Sequence, residues 1–125
     1  MVEKTEQHIN DFYYTWDMLN VSIDLLIQKI KQSNIKFKNI YAIPRGGLIL
    51  GVCLSHKLNI PLVKDTIMPY TLIVDDICDT GKTLVPFTDL TRVALVVKPK
   101  GLNIVPELLY DIKVKNNTWV HFPWE

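Results

Sequence analysis

The segment 72–83 carries the residue types and spacing that point most directly to chemistry. Three apolar residues at 72–74, typical of a buried strand, lead into two adjacent carboxylates, Asp75 and Asp76. A turn of small and hydroxyl-bearing residues follows at 79–83. Small residues let backbone N–H groups approach an anion closely, and threonine hydroxyls add further donors. The turn therefore has the composition of a phosphate-binding loop.

The acidic pair supplies the other half of such a site. At the end of a strand, Asp75 and Asp76 can accept hydrogen bonds from vicinal hydroxyls such as those of a ribose, or hold a divalent cation through oxygen ligands. A helix predicted over 82–90 would direct its positive N-terminal end at the phosphate. A phosphorylated sugar satisfies both halves at once, whereas the alternative interpretation of the carboxylates is an ordinary solvated turn.

A nucleoside triphosphatase loop of the Walker A type is excluded by spacing. The run Gly81-Lys82-Thr83 resembles the end of that motif, but the motif requires a glycine five positions before Gly81, and Asp76 stands there.

The elements that must position this segment follow from the apolar pattern of the chain. Thr15 is a predicted N-cap, and apolar residues recur after it at helical spacing as far as Ile30. Helices are also predicted at 48–58 and 82–90, and strands at 40–43, 61–63, 72–74, 93–97 and 110–114, while the segment 118–124 closes the chain with two tryptophans. Continuously apolar strands that alternate with helices predict an α/β fold with a mostly parallel, twisted sheet flanked by helices. We expect a single domain over residues 1–125.

Composition excludes several classes of function. The 14 basic and 13 acidic residues are scattered along the chain, so no basic stripe for nucleic acid is present. No apolar run is long enough to span a bilayer, and the polar opening at 2–10 lacks the pattern of a secretion signal, so we expect a cytoplasmic protein. Cys53 and Cys78 form no CxxC pair and the three histidines are dispersed, so we expect reduced thiols and no structural zinc.

The order of apolar run, Asp-Asp, two residues and Asp-Thr-Gly-x-Thr resembles the signature with which type I phosphoribosyltransferases bind 5-phosphoribosyl-1-pyrophosphate (PRPP). Further segments resemble the bacterial xanthine-guanine phosphoribosyltransferases in the same order: 14–19, Pro44-Arg45-Gly46-Gly47-Leu48, Lys98-Pro99, and Thr118-Trp119-Val120 with Pro123-Trp124. The resemblance implies a magnesium-dependent enzyme that transfers the phosphoribosyl group of PRPP to guanine, xanthine or hypoxanthine, releases pyrophosphate, and forms a homodimer or homotetramer.

The resemblance also implies roles for individual residues. Asp75 and Asp76 would bind the ribose hydroxyls and help hold Mg²⁺, and Asp79 would be the catalytic residue beside the purine N7. Thr80, Gly81, Lys82 and Thr83 would hold the 5-phosphate, with Arg45 and Gly46 on the pyrophosphate. Lys98 would donate to the purine O6, Trp119 would stack on the base, and the Val120 backbone would face its exocyclic groups.

Each accessory residue also has a simpler interpretation. Arg45 can be a solvated turn residue, Lys98 can merely end a strand, and Trp119 can anchor a core or an interface. Lys82 can contact phosphate or point to solvent. For Trp124 we expect a place in the core.

The chain departs from the family where a long, mobile hood loop covers the reacting centre, because only residues 64–71 remain there. Closing loops exclude water, so their loss should lower the transfer rate or permit hydrolysis of PRPP. Two alternatives therefore stand beside the enzyme: a non-catalytic regulatory module that binds PRPP or a nucleotide, and a small α/β protein with a relic site. The sequence does not rank the three purine bases.

Overall fold

The computed structural model describes residues 10–125, so the prediction for the polar opening falls almost wholly outside the described residues. Seven strands lie within this described range: β1 (Asn10–Tyr13), β2 (Asn39–Ala42), β3 (Leu62–Val63), β4 (Thr71–Cys78), β5 (Arg92–Val97), β6 (Leu109–Lys113) and β7 (Thr118–His121). The same residues form three α-helices: α1 (Trp16–Gln32), α2 (Leu48–Leu58) and α3 (Pro99–Ile104).

The main sheet has five strands in the order β3-β2-β4-β5-β6, and all of its pairings are parallel. This arrangement confirms the predicted fold class. The central strand is longer than predicted, because β4 runs to Cys78 and not only to Val74. Pairing with β2 stops at Val74, whereas pairing with β5 continues to Cys78. Asp75 and Asp76 therefore lie inside β4, and the expectation that they follow the strand was wrong.

One face of the sheet packs against α1 and α2, and the main core lies between them. The start of α1 is as predicted, because the Thr15 hydroxyl accepts a hydrogen bond from the Met18 backbone N–H at 3.1 Å. The helix then buries a stripe of residues that includes Leu19, Ile23 and Leu26. The predicted range of α2 also agrees with the structure, and its Leu50 and Leu54 are wholly buried.

The other face is covered by short segments. The helix predicted over 82–90 is absent, and a single 3₁₀ turn at Val85–Phe87 takes its place. Asp89 has a positive φ of 74°, which ends any helical path before β5 begins at Arg92. The buried Arg92 guanidinium donates to the Leu84 carbonyl at 2.9 Å and forms an ion pair with Glu107. This side chain therefore holds the compact connection against the sheet.

A separate two-stranded parallel sheet joins the two ends of the described chain. Asn10 to Tyr13 of β1 pair in register with Thr118 to His121 of β7. Tyr14, directly after β1, is buried, and its hydroxyl donates to the Ser22 Oγ at 2.6 Å. Ser22 in turn donates to Asp111 of β6 at 2.5 Å. This small sheet is therefore fixed to both α1 and the main sheet.

Within residues 10–125, none of the helices combines the length and the apolar character that crossing a membrane would require.

Candidate functional site

A cleft of about 840 Å³ opens at the carboxyl end of the main sheet, where β2 and β4 separate. Open parallel sheets present their ligand sites at this end of their strands. Six of the residues singled out from sequence line the cleft together: Arg45, Gly46, Asp75, Asp76, Thr83 and Trp119. Asp79, Thr80, Gly81, Lys82, Lys98 and Val120 are not on its lining.

Asp75 and Asp76 form a largely buried pair at the base of the cleft, each about 7% exposed. The Asp75 carboxylate accepts from the Asp76 backbone N–H at 2.8 Å, and the Asp76 carboxylate accepts from the Ile77 N–H at 2.8 Å. Burial raises the pKa of Asp75 well above its ordinary value, and the adjacent negative charge of Asp76 raises it further. The pair is thus a site where a cation or a set of hydroxyl donors would relieve unfavourable charge.

The loop between β2 and α2 forms the opposite wall of the cleft. The peptide bond between Pro44 and Arg45 is cis. Gly46 lies directly against the acidic pair, because a Cβ atom at this position would be 2.5 Å from the Asp76 Oδ2. The loop leads into α2, whose N-terminus has no side-chain cap. Unpaired N–H groups at a helix N-terminus attract anions, and Arg45 adds a positive charge beside them.

The loop at 79–83 follows β4 and is mostly exposed. Gly81 has a φ of 88°, a conformation that favours glycine, and its carbonyl accepts from the Leu84 and Val85 N–H groups. The Thr80 hydroxyl accepts from the Lys82 N–H at 3.2 Å within the loop. Because no α-helix follows, the expected helix N-terminus is missing, and the loop could hold a phosphate only through its own N–H and hydroxyl groups.

Asp79 and Lys98 lie together outside the cleft lining. The Lys98 ammonium is 3.3 Å from the Asp79 Oδ2, and the Lys98 residue is 2% exposed. Lys98 follows β5, and its backbone N–H donates to the Cys78 carbonyl at the end of β4. The two residues assigned to the purine ring by resemblance are therefore neighbours, but they face each other.

The strand β7 brings aromatic residues to the cleft. Trp119 lines it, whereas the next residue, Val120, is buried in the main core. Trp124 also lines the cleft while stacking on Phe122, with ring centroids 4.9 Å apart. The expectation that Trp124 is simply a core residue was thus incomplete. Glu125 completes this wall, and burial raises the pKa of its carboxyl. The resemblance of Pro123-Trp124 to the family's motif was a sequence signal for Trp124, whereas no sequence signal distinguished Glu125.

The described residues provide two carboxylates for a cation, and none of their His, Cys, Asp and Glu side chains gather into a group of three or more that could hold a metal ion. This donor set fits Mg²⁺, which keeps several waters and is commonly held by one or two carboxylates together with substrate phosphates. It does not fit a structural zinc site, which needs four protein ligands.

A second cavity, of about 440 Å³, lies near the amino ends of β5 and β6, with Thr88, Asp89 and Glu107 among its lining residues. It contains no residue that the sequence singled out. The cleft at the carboxyl end is therefore the candidate site.

A five-stranded parallel sheet with an acidic pair on its central strand and a glycine-containing loop opposite defines a type I phosphoribosyltransferase fold, and solved structures of phosphoribosyltransferases share it. A purine phosphoribosyltransferase from Pyrococcus horikoshii superposes with a TM-score of 0.76 and 29% sequence identity, over 94% of this chain and 95% of that one. A Helicobacter pylori xanthine-guanine-hypoxanthine phosphoribosyltransferase superposes with a TM-score of 0.70 and 19% identity, over 92% of each chain.

A third similar structure is a hypothetical protein from Neisseria gonorrhoeae with bound ppGpp, with a TM-score of 0.72 and 20% identity over 93% of this chain and 89% of that one. The sequence matches no family model.

Proposed function

We propose that this protein is a purine phosphoribosyltransferase that transfers the 5-phosphoribosyl group of PRPP to guanine, xanthine or hypoxanthine and releases pyrophosphate. The observation that carries the proposal is the meeting of Arg45, Gly46, Asp75, Asp76 and Trp119 around one cleft. These residues come from three separate parts of the chain. Their side chains match the hydroxyl, pyrophosphate and base portions of the two substrates.

In this proposal the ring nitrogen of the base attacks the anomeric carbon of PRPP as the bond to pyrophosphate breaks. Pyrophosphate leaves with the bonding electrons, and the proton of the base passes to Asp79 or to water. Asp75 and Asp76 orient the ribose hydroxyls, and Arg45 with the uncapped N-terminus of α2 holds the leaving group. Mg²⁺, held by the acidic pair and by substrate oxygens, would neutralise the pyrophosphate.

The roles assigned to Lys98 and Asp79 require a local movement. In the structure their side chains satisfy each other, and neither lines the cleft. We propose that the base meets this pair at the edge of the cleft, with Lys98 on O6 and Asp79 on N7, while Trp119 supports the ring and the Val120 backbone faces its exocyclic groups. The exposed Thr80, Lys82 and Thr83, with Gly81, would surround the 5-phosphate.

The short connection at 64–70 leaves the cleft open, but this openness does not exclude transfer. The P. horikoshii purine phosphoribosyltransferase superposes over 95% of its own chain, so a protein of similar extent carries that name. We expect slower transfer and some hydrolysis of PRPP, because water is not excluded from the reacting centre.

The proposal is tested by incubating the protein with Mg²⁺, PRPP and each purine base, while nucleotide and pyrophosphate are measured together. Equal amounts of both indicate transfer, and pyrophosphate without nucleotide indicates hydrolysis. Nucleotide formation should fall at least about tenfold in Asp79→Asn. Asp24→Asn, which changes an exposed carboxylate on α1, is the matched control. Absence of nucleotide with all three bases at high protein concentration would refute the proposed enzyme.

A second candidate is a regulatory module that binds a nucleotide without turning it over. It is favoured by the open cleft and by the bound ppGpp in the N. gonorrhoeae protein of the same fold. Calorimetry with PRPP, guanosine monophosphate and ppGpp separates the two candidates, because tight binding without turnover is expected only of the module. If none of the three binds, both candidates fail.

The predicted dimer or tetramer remains a proposal. Apolar side chains are exposed on α2 and beside it, including Val52, Leu62, Met68 and Tyr70. Their burial between copies of the chain would be favourable. Sedimentation that shows only monomers at micromolar concentration would contradict it.

A further inference from the structure

The Asp79 carboxylate lies between two ammonium groups, of which only that of Lys98 had been assigned to the purine site. The Lys98 Nζ is 3.3 Å from the Oδ2, and the Lys100 Nζ is 3.2 Å from the Oδ1. Lys98 has a side chain that is 3% exposed, whereas that of Lys100 is 46% exposed. The two lysine side chains therefore differ sharply in how easily they can move away from Asp79.

The Oδ1 atom of Asp79 is shielded from solvent, although the Asp79 side chain as a whole is 43% exposed. Its contact with Lys100 lies within ion-pair distance but lacks the geometry of a hydrogen bond, so the atom has no hydrogen-bond partner. Buried carboxylate oxygens normally accept hydrogen bonds. This oxygen is thus an acceptor that is covered but not satisfied.

The backbone fixes Lys100 in this place. It lies in the first turn of α3, next to Gly101, where a Cβ atom would be 2.7 Å from both the Asp79 and the Cys78 carbonyl oxygens. The Lys100 N–H also donates to the Asn116 side chain at 3.1 Å. The turn therefore packs directly on the end of β4, and the lysine side chain extends over Asp79 from a rigid base.

We propose that Lys100 is a displaceable cover on the acceptor oxygen of Asp79, and that it lowers the affinity of the site for the purine base. The inference rests on the proposed transferase function, in which a base N–H or a water must reach Asp79. The buried Lys98 has less freedom to move than Lys100. The Lys100 side chain moves away from Asp79 when the base binds, because an exposed ion pair contributes little free energy.

Removing a lysine that positions the base would raise the KM, whereas removing a lysine that covers Asp79 should lower it. Replacement by Lys100→Met should lower the KM for guanine roughly two- to fivefold, the factor that corresponds to losing one exposed ion pair. Lys100→Arg keeps the cation and should behave as the unaltered protein. Lys57→Met, on the exposed C-terminal turn of α2, removes the same charge away from Asp79 and serves as the matched control.

Ionic strength provides a readout that a purely structural role would not move. Salt screens exposed charges, so at saturating Mg²⁺ and PRPP the KM ratio between the unaltered protein and Lys100→Met should shrink towards one as salt is raised. The ratio for Lys57→Met should stay at one throughout.

The outcomes separate the inference from the function on which it rests. If the unaltered protein forms nucleotide but Lys100→Met raises the KM or leaves it unchanged, the covering role of Lys100 is refuted and the transferase function is supported. If the unaltered protein neither forms nucleotide nor shows quenching of tryptophan fluorescence by guanine, the transferase fails and the inference fails with it. A lower KM that converges with the unaltered protein at high salt supports the cover.

Discussion

Replacing Asp75 with asparagine should stabilise the protein in the absence of ligands while abolishing its use of magnesium and PRPP. Burial and the neighbouring Asp76 raise the pKa of the Asp75 carboxyl from 3.8 to about 8. Because the folded state holds this proton more tightly than the unfolded state, the wild-type protein is most stable below the unfolded pKa and loses stability as pH rises towards the folded pKa. Asparagine carries no charge and keeps an oxygen that can accept from the Asp76 N–H.

A pKa difference of one corresponds to about 1.4 kcal/mol. The full difference would amount to several kcal/mol at neutral pH, but the cleft gives water access to the pair, so we expect a gain of about 2 kcal/mol for Asp75→Asn at pH 7. The measurement is urea denaturation between pH 4 and pH 8 in the presence of a chelator. The difference between the two proteins should grow as pH rises and nearly vanish at pH 4.

Addition of ligands should make the wild-type protein the more stable of the two. Saturating Mg²⁺ and PRPP should stabilise the wild-type protein, by about 2.7 kcal/mol at a hundredfold excess over Kd, and should leave Asp75→Asn unaffected. Asp24→Asn, at an exposed position, should match the wild-type protein in both experiments. If the stability difference between Asp75→Asn and the wild-type protein is no larger at pH 8 than at pH 4, the reasoning about buried charge is refuted.

Three further predictions concern the loop at the cleft and the core. Gly46→Ala should lower the affinity for Mg²⁺ and PRPP at least about tenfold in calorimetry, because the added methyl would displace the Asp76 carboxylate; unchanged affinity would contradict the close approach. Leu26→Ala should cost about 3 kcal/mol in urea denaturation, since Leu26 is wholly buried between α1 and the sheet. Tyr14→Phe should cost about 1 kcal/mol by removing the buried hydrogen bond to Ser22, and a loss of less than a few tenths would show that the bond contributes nothing.

The parts of the fold that local pattern determines could be predicted from sequence. The range 48–58 agrees with α2, and Thr15 caps α1, because helical periodicity and capping depend on residues close together in the chain. The acidic pair and the loop around Arg45 could be singled out as well, since both are contiguous motifs.

The failures have tertiary causes as well as local ones. The segment after Thr83 has a plausible helical pattern, but the buried Arg92 and the positive φ of Asp89 impose a compact 3₁₀ turn. The strand end was misplaced at Val74 because its extension to Cys78 is set by pairing with β5. The helix α3 escaped notice because its short segment contains Pro99 and Gly101, which alone indicate a break.

The pairing of β1 with β7 also has a consequence for the order in which the molecule assembles. Its side-chain contacts join residues 107 and 110 positions apart, so pairing these strands in an unfolded chain closes a loop of almost the whole described length, at an entropic cost. The central strands β4 and β5 pair over a far shorter separation. We therefore expect β7 to dock late in folding and to open before the main sheet, so that its amide hydrogens exchange faster than those of β4. Trp119 lies on this late strand, and a base that stacks on it would slow that exchange.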